Sequence, residues 1–113
     1  MRDYLYVADL VEALELAAGK ETRDKILNVG SGRGVSLNGL IACMAEVVGE
    51  RPPVEYLPPR SLDVPTNVLN IGRAREELGW EPRVELTEGI TRTWDWIRSL
   101  PESTTGKMVW KYW

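Results

Sequence analysis

Two arginines have the side-chain chemistry of a phosphate site. Arg2 lies at the start of the chain, and Arg60 follows Pro58 and Pro59. A guanidinium presents a fixed fork of N–H donors that matches phosphate oxygens, and two converging forks can hold a pyrophosphate. The prolines stiffen the approach to Arg60 and reduce the entropy lost in positioning it. Residue type and spacing do not exclude the alternative that both arginines are ordinary solvated or paired surface residues. They also leave two structural roles open for Asp63, a turn residue or an ion-pair partner of Arg60.

The glycine-rich loop Gly30-Ser31-Gly32-Arg33-Gly34 is a second candidate site. It lies between a predicted strand and a predicted helix, where glycine loops hold phosphates at a helix N-terminus. Its spacing is Gly-x-Gly-x-Gly, whereas dinucleotide sites use Gly-x-Gly-x-x-Gly with an acidic residue about 20 positions later. The Gly-Lys-Ser/Thr of triphosphate-binding loops is also missing. We therefore expect a tight turn rather than a dinucleotide site.

The remaining reactive or aromatic groups are better explained by structural roles. Asp3, Asp9 and Glu12 could form a carboxylate cluster for a metal or for acid/base chemistry. Because Asp9 and Glu12 are three residues apart on a predicted helix, we expect them on its solvated face, near its N-terminal charge. Three tryptophans are expected to pack in the core or at helix ends rather than to stack on bases: Trp80, Trp94 and Trp96.

Composition restricts the class of protein. The chain has 113 residues, 43% of them hydrophobic and 27% charged, which is typical of one soluble globular domain. The net charge of -3 and the scattered basic residues argue against a nucleic-acid partner. Cys43 is the only cysteine and histidine is absent, which excludes an internal disulfide and a Cys/His zinc site; in its apolar helix Cys43 should be buried and inert. No stretch approaches the ~20 apolar residues of a membrane helix and no signal-peptide pattern opens the chain, so a cytoplasmic location is expected.

Hydrophobic periodicity predicts two helices in the first half of the chain. The first runs from about Ala8 to Ala18 and is capped by Gly19. Its apolar face consists of Val7, Leu10, Val11 and Leu14. Ser36 is a good N-cap for the second helix, which closes at Gly49. The expected inward face of this second helix consists of Leu37, Leu40, Ile41, Met44, Val47 and Val48.

Two further helices are predicted in the second half. Asn70 caps a short helix through Leu78, and Gly79 stops it with Trp80 placed for the apolar contact that accompanies such caps. Thr87 is expected to cap the last helix. One face of that helix carries Ile90, Trp94 and Ile97.

Short strands are expected between these helices. Lys25 to Val29 reads as a buried strand, and Val54 to Leu57 lies between two proline pairs that delimit it. The resulting order, α-β-α-β-α-α, predicts a small α/β domain with α+β character. From Pro101 onward the composition turns polar and then ends in an aromatic tail.

Three segments together resemble one protein family. They are Arg2-Asp3-Tyr4-Leu5-Tyr6-Val7-Ala8-Asp9-Leu10, Asn28-Val29-Gly30-Ser31-Gly32 and Pro58-Pro59-Arg60-Ser61-Leu62-Asp63-Val64-Pro65. They resemble the C-terminal third of nucleotide-sugar epimerases and dehydratases, the extended short-chain dehydrogenases. Ala74 to Pro82 also resembles the family's helix-ending segment, so that the resemblance covers roughly residues 2 to 98.

The family's catalytic motifs do not occur in this sequence. Full-length members hold NAD in an N-terminal domain, and a Tyr-x-x-x-Lys pair moves protons while the cofactor takes and returns hydride. Neither Tyr-x-x-x-Lys nor Gly-x-x-Gly-x-x-Gly is present in the chain. The resemblance therefore implies a substrate-binding end without catalytic residues and without a cofactor of its own.

The resemblance assigns three residues to the phosphates and ribose of UDP and one to the ligand pocket. The family's Arg-Asp-Tyr motif supplies a pyrophosphate arginine and a pocket tyrosine, which are Arg2 and Tyr4 here. Its Arg-x-x-Asp motif supplies a second pyrophosphate arginine, Arg60, and a carboxylate that accepts hydrogen bonds from the ribose hydroxyls, Asp63.

Two further positions concern the base and the sugar. The apolar residue that lines the family's uracil slot corresponds to Leu37. The family's aromatic position after the carboxylate is Asn67 here. The expected ligand is thus UDP or a UDP-sugar.

The resemblance also divides the chain into three parts. Residues 1–34 correspond to the last helix and edge strand of the Rossmann sheet, 35–100 to the substrate-binding lobe, and 101–113 to a tail. A parallel strand needs neighbours on its edges, so either Val54 to Leu57 is recruited or a second copy of the chain pairs with it. The tail either covers this surface or is an incidental extension.

We accordingly expect a UDP-binding protein that does not catalyse by itself. It would act as a homo-oligomer or with a separate N-terminal-domain partner. The alternatives are a complementing subunit of a split epimerase and a self-associating structural module that has lost its ligand.

Overall fold

Four helices and one two-stranded sheet form the part of the chain that the structure describes. The computed structural model describes residues 1–23, 26–58 and 63–101. The helices are α1 (Val7–Gly19), α2 (Leu37–Val48), α3 (Gly72–Leu78) and α4 (Leu86–Ser99), and the strands are β1 (Arg2–Asp3) and β2 (Gly34–Val35). The predicted α/β class is confirmed. None of the helices in these ranges has the length and hydropathy of a membrane span.

The sheet joins the start of the chain to the end of the glycine loop. β1 and β2 are antiparallel, with Arg2 opposite Val35 and Asp3 opposite Gly34. Arg2 also forms a parallel bridge with Asn67. Two-residue strands are too short to carry a periodic pattern, which is why the sequence did not predict them.

Both strands that the sequence predicted are wrong in the described residues. Residues 26–29 and 54–57 form no strand, and Lys25 lies outside the described residues. The first segment still alternates, because Ile26 is 77% exposed while Leu27 packs against the core. A parallel strand requires a hydrogen-bonding neighbour, and none of the described residues pairs with this segment.

The core lies where α1 meets α3 and Trp80, the second residue after α3. Ala13, Ala74, Leu78 and Trp80 form one buried cluster. The indole Nε1 of Trp80 donates to the carbonyl oxygen of Asp9 at 3.0 Å. The predicted structural role of Trp80 is therefore confirmed, and its buried N–H has the partner that an aromatic core residue of this type needs.

Two other predicted core residues are less buried than expected. Trp96 is 58% exposed on α4, so its predicted packing role is wrong. Cys43 is only half-buried, and its Sγ lies 3.2 Å from Oγ1 of Thr87. The thiol therefore lies beside the hydroxyl of the second residue of α4 rather than within an apolar core.

The predicted apolar face of α1 points away from the core. Its four members are 39–62% exposed: Val7, Leu10, Val11 and Leu14. The opposite face of the helix supplies the buried residues Asp9 and Ala13. Such an uncovered apolar face is the signature of an interaction surface.

The helix ends follow local sequence signals in α2 and α3. The hydroxyl of Ser36 accepts the backbone N–H of Gly39 at 3.0 Å, as predicted for an N-cap. Gly49 and Gly79 end their helices with φ of 84° and 68°, as predicted, because glycine adopts this left-handed conformation without strain. The predicted cap at Asn70 is off by one residue: Ile71 is the N-cap of α3, and Oδ1 of Asn70 accepts the N–H of Gly72, the first helical residue, at 2.9 Å.

Two local predictions, for α1 and α4, are wrong, and the prediction for α2 is correct only in part. Gly19 is not a left-handed cap; α1 ends because Lys20 is extended and its Nζ donates to the carbonyl of Leu78 at 2.7 Å. Thr87 is the second residue of α4 rather than its cap, because Glu85 is already the extended flanking residue. α2 has no fully buried residue and Leu37 at its start is 65% exposed, but Leu40, Met44 and Val48 of its predicted inward face line a cavity shared with α4.

Candidate functional site

Arg2 fastens β1 to the segment around Asn67. Its guanidinium Nη1 donates to the carbonyl oxygens of Val64 at 2.6 Å and Met1 at 3.0 Å. The backbone N–H of Asn67 donates to the Met1 carbonyl at 3.0 Å, and the N-terminal ammonium donates to Pro65 O at 2.5 Å. The guanidinium is therefore held at the junction of two segments that are more than 60 residues apart.

The other predicted nucleotide ligands differ in how they are connected to this junction. Asn67 is exposed and bridges Arg2 directly. Leu37 is exposed two residues after Val35, the residue that pairs with Arg2. Asp63 is exposed at the start of the last described range, and Arg60 lies outside the described residues.

Tyr4 belongs to a separate feature, an open apolar cavity of about 470 Å³. The cavity lies between α2, α4 and the start of α1. Ile90, Trp94 and Ile97 line it, as predicted for the inward face of α4. Tyr4 also lines a neighbouring cavity of about 130 Å³ beside Ser31. Nothing in the sequence predicted these cavities, because they form only where the helices cross.

Asp3 holds the glycine loop in place. Its Oδ1 accepts the backbone N–H and the hydroxyl of Ser31, the former at 2.7 Å. Its Oδ2 accepts the N–H of Gly32 at 3.0 Å and that of Leu69 at 3.2 Å. Partial burial raises the pKa of the Asp3 carboxyl, but the hydrogen bonds from Ser31, Leu69 and Gly32 outweigh it and lower the pKa below its ordinary value.

The loop is the tight turn that the sequence predicted, with Gly32 at φ 69°. Its amides do receive an anion, as glycine loops do, but the anion is the chain's own carboxylate. Because Asp3 occupies the N–H groups of Ser31 and Gly32, these residues do not fit a dinucleotide phosphate. The described residues also contain no group of three or more His, Cys, Asp or Glu side chains that could hold a metal.

Asp9 contradicts its predicted solvent exposure. It is 4% exposed, and its Oδ2 accepts the N–H groups of Arg83 at 3.2 Å and Val84 at 3.0 Å. Glu12, half-buried, pairs with the guanidinium of Arg83 at 3.0 Å. The loop before α4 covers the start of α1, and its buried N–H groups need the acceptor that Asp9 provides. The sequence shows only an acidic residue in a first helical turn, so it cannot reveal this contact.

The chain is similar in sequence and in fold to known UDP-glucose 4-epimerases. The chain is 40% identical over 98 residues to UDP-glucose 4-epimerase of Mycolicibacterium smegmatis. It superimposes with a TM-score of 0.76 and 42% identity on UDP-glucose 4-epimerase of Thermotoga maritima, solved with UDP-glucose. The corresponding enzyme of Stenotrophomonas maltophila, solved with NAD and formylated UDP-arabinopyranose, gives a TM-score of 0.80 and 34% identity. The chain belongs to the NAD-dependent epimerase family of short-chain dehydrogenases.

The similarity to these epimerases covers most of this chain but only part of theirs. The matches include 86–90% of this chain and 31% of each of the three relatives. They fall in the C-terminal part of the epimerases. No family model matches the chain.

Proposed function

We propose that this chain binds the UDP part of a UDP-sugar. Arg2 and Arg60 hold the pyrophosphate, Asp63 accepts hydrogen bonds from the ribose hydroxyls, and Leu37 lies along the uracil ring. Tyr4 and Asn67 border the same ligand. The UDP-sugars in the solved epimerases of T. maritima and S. maltophila support this ligand class.

The junction at Arg2 is the observation that carries the proposal. The hydrogen bond to Val64 and the bridge to Asn67 bring the Arg-Asp-Tyr segment against the segment that contains Asp63. In the described residues Nε and Nη2 of Arg2 make no hydrogen bond, so the second edge of the guanidinium fork can meet phosphate oxygens. The pairing of Arg2 with Val35 brings the start of α2, with exposed Leu37, to the same end of the sheet.

Binding should be weak for a site of this size. The chain spans 31% of the length of the epimerases it matches, and each hydrogen bond that a ligand fails to make loses about 1 kcal/mol. We therefore expect UDP to bind with a Kd between about 10 µM and 1 mM.

Isothermal titration with UDP tests the site through Arg60. Arg60→Ala should weaken binding by about tenfold or more, and Arg60→Lys should restore it only in part, because an ammonium lacks the planar fork. Arg98→Ala is the matched control, since that guanidinium is on α4 and pairs with Asp95. Identical UDP titrations for the wild type and Arg60→Ala would show that the site assignment is wrong.

We further propose that the chain does not catalyse by itself. It contains neither Tyr-x-x-x-Lys nor the NAD-binding glycine motif, and its one glycine loop is occupied by Asp3. The purified chain should neither retain NAD nor interconvert UDP-glucose and UDP-galactose. Turnover above a heat-inactivated control would contradict this proposal.

A second role, association with another protein chain, is favoured by the uncovered face of α1. Leu14 and Val7 are 59% and 62% exposed there. The partner is either a second copy or a separately encoded N-terminal domain, which would make this chain a complementing subunit. If UDP does not bind, association alone remains as the function of a structural module.

A further inference from the structure

The carboxylate of Asp3 is the point at which three chain segments meet. Asp3 itself lies in β1, Ser31 and Gly32 belong to the glycine loop, and Leu69 follows the Asn67 bridge. A carboxylate has about four lone-pair sites, and four donors fill them here. The residues on either side of Asp3 in the sequence are Arg2 and Tyr4, both proposed UDP ligands.

The glycines of the loop are explained by this contact. A Cβ atom at Gly30 would lie 2.8 Å from Oδ2 of Asp3 and 3.1 Å from Cδ1 of Leu69. A Cβ at Gly34, which is opposite Asp3 in the sheet, would lie 2.8 Å from Cγ2 of Val68. Contacts this short leave no room for a Cβ at either position, so the two glycines allow the Asp3 carboxylate and the side chains of Val68 and Leu69 to approach the loop.

We propose that Asp3 is a positioning residue for the nucleotide site. It holds β1, the glycine loop and the Leu69 segment in one arrangement. This arrangement fixes the guanidinium of Arg2 beside Asn67, and it fixes the position of β2 and therefore of Leu37, which follows β2 in the chain. This inference rests on the proposed function, because the ligand is the UDP proposed above. Asp3 does not itself contact the ligand.

A carboxylate suits this position better than any neutral side chain. Both oxygens of Asp3 accept hydrogen bonds, and all four donors point at it. Asparagine offers one acceptor oxygen, and its NH₂ group would face N–H donors across the same short distances. Asp3→Asn should therefore release one side of the contact, either the loop or the Leu69 segment.

Asp9 provides a matched control. It is also an aspartate that accepts two backbone N–H groups, but those belong to Arg83 and Val84, at the loop before α4. Asp9→Asn thus makes the same chemical change at a carboxylate with two donors instead of four, in a contact that includes none of the proposed UDP ligands. A merely structural role predicts the same effect from both variants.

Calorimetry with UDP, on variants shown to be folded by circular dichroism, separates the two roles. Asp3→Asn should weaken UDP binding about tenfold or more, whereas Asp9→Asn should change it less than about twofold. In an Arg2→Ala background, Asp3→Asn should produce little further loss, because residues that act through one another are not additive. A Kd for Asp3→Asn equal to that of the wild type, or equal losses in Asp3→Asn and Asp9→Asn, would overturn the inference.

Amide hydrogen exchange tests the same inference without ligand. Asp3→Asn should accelerate exchange at Asn67 and Leu69 and leave Ala13 in α1 unchanged; an unchanged pattern would overturn the inference alone. Failure of the wild type to bind UDP would instead overturn the proposed function, and with it the nucleotide-positioning role. If Asp3→Asn does not fold, Ser31→Ala removes one donor to Asp3, and unaltered UDP affinity and exchange in that variant would overturn the inference.

Discussion

At the scale of single residues, two aspartates in the first ten positions organise much of the described structure. Asp3 accepts hydrogen bonds from backbone N–H groups of the glycine loop and of Leu69, while Asp9 accepts those of Arg83 and Val84. Each satisfies N–H groups of irregular backbone that would otherwise be left without a partner. The sequence gives no sign of either contact, because their partners are 28 to 75 residues away.

Stability should depend on pH through Asp3. Its pKa is lower in the folded chain than in the unfolded one, because hydrogen bonds from Ser31, Leu69 and Gly32 outweigh the opposing effect of burial. A lowered folded-state pKa means that the ionised group stabilises the fold above its unfolded pKa, and that this contribution is lost as the pH falls through the folded pKa.

Urea unfolding of the wild type and Asp3→Asn at several pH values measures this contribution. The wild type should be the more stable at pH 7, and the difference should shrink as the pH falls past the ordinary pKa of an aspartate toward the lower pKa of the folded state. Asp95→Asn, an exposed carboxylate paired with Arg98, is the control. A wild-type advantage that stays constant down to the acid limit would contradict the prediction.

At the scale of elements, α1 and α3 are joined by Trp80. The indole follows the left-handed Gly79 cap, is 2% exposed, and donates to the carbonyl of Asp9. The sequence predicted the cap, the contact after it and the structural role of the ring. It could not predict the hydrogen bond, since the position of Asp9 relative to Trp80 depends on how the two helices pack.

Replacing Trp80 should destabilise the fold much more than replacing an exposed tryptophan. Trp80→Phe removes the hydrogen bond and leaves part of the indole volume empty, which should lower the free energy of unfolding by about 2 kcal/mol or more. Trp96→Phe, at a side chain that is 58% exposed, should change it by less than about 0.5 kcal/mol. Thermal and urea denaturation measure both; equal effects would show that Trp80 is not the centre of the core.

At the scale of the whole molecule, the chain leaves apolar surface uncovered. The face of α1 formed by Val7, Leu10, Val11 and Leu14 is exposed along its length, and Ile26 is 77% exposed. An uncovered apolar helix face of this kind is typical of a protein interface. The division of the chain at residues 34 and 100 stays a prediction.

Self-association through this face is therefore expected. Burial of about 800 Å² per subunit would reach the size of a stable interface. Sedimentation equilibrium at micromolar concentration should show a dimer or larger assembly, and Leu14→Glu should shift it toward monomer by burying an unpaired charge. Leu57→Glu, at a residue that is 76% exposed outside α1, is the control. A monomer at every concentration would contradict the prediction.

The sequence by itself determined the class of fold, the positions of four helices, the caps at Ser36, Gly49 and Gly79, and the family resemblance. These features depend on local conformational preferences and on short motifs, which neighbouring residues express without help from the rest of the chain. The tertiary structure alone decided that residues 26–29 form no strand, that Asp9 is buried, and that Asp3 joins three segments beside Arg2. Those outcomes depend on which distant segments come together to satisfy backbone hydrogen bonds, and no local pattern encodes that choice.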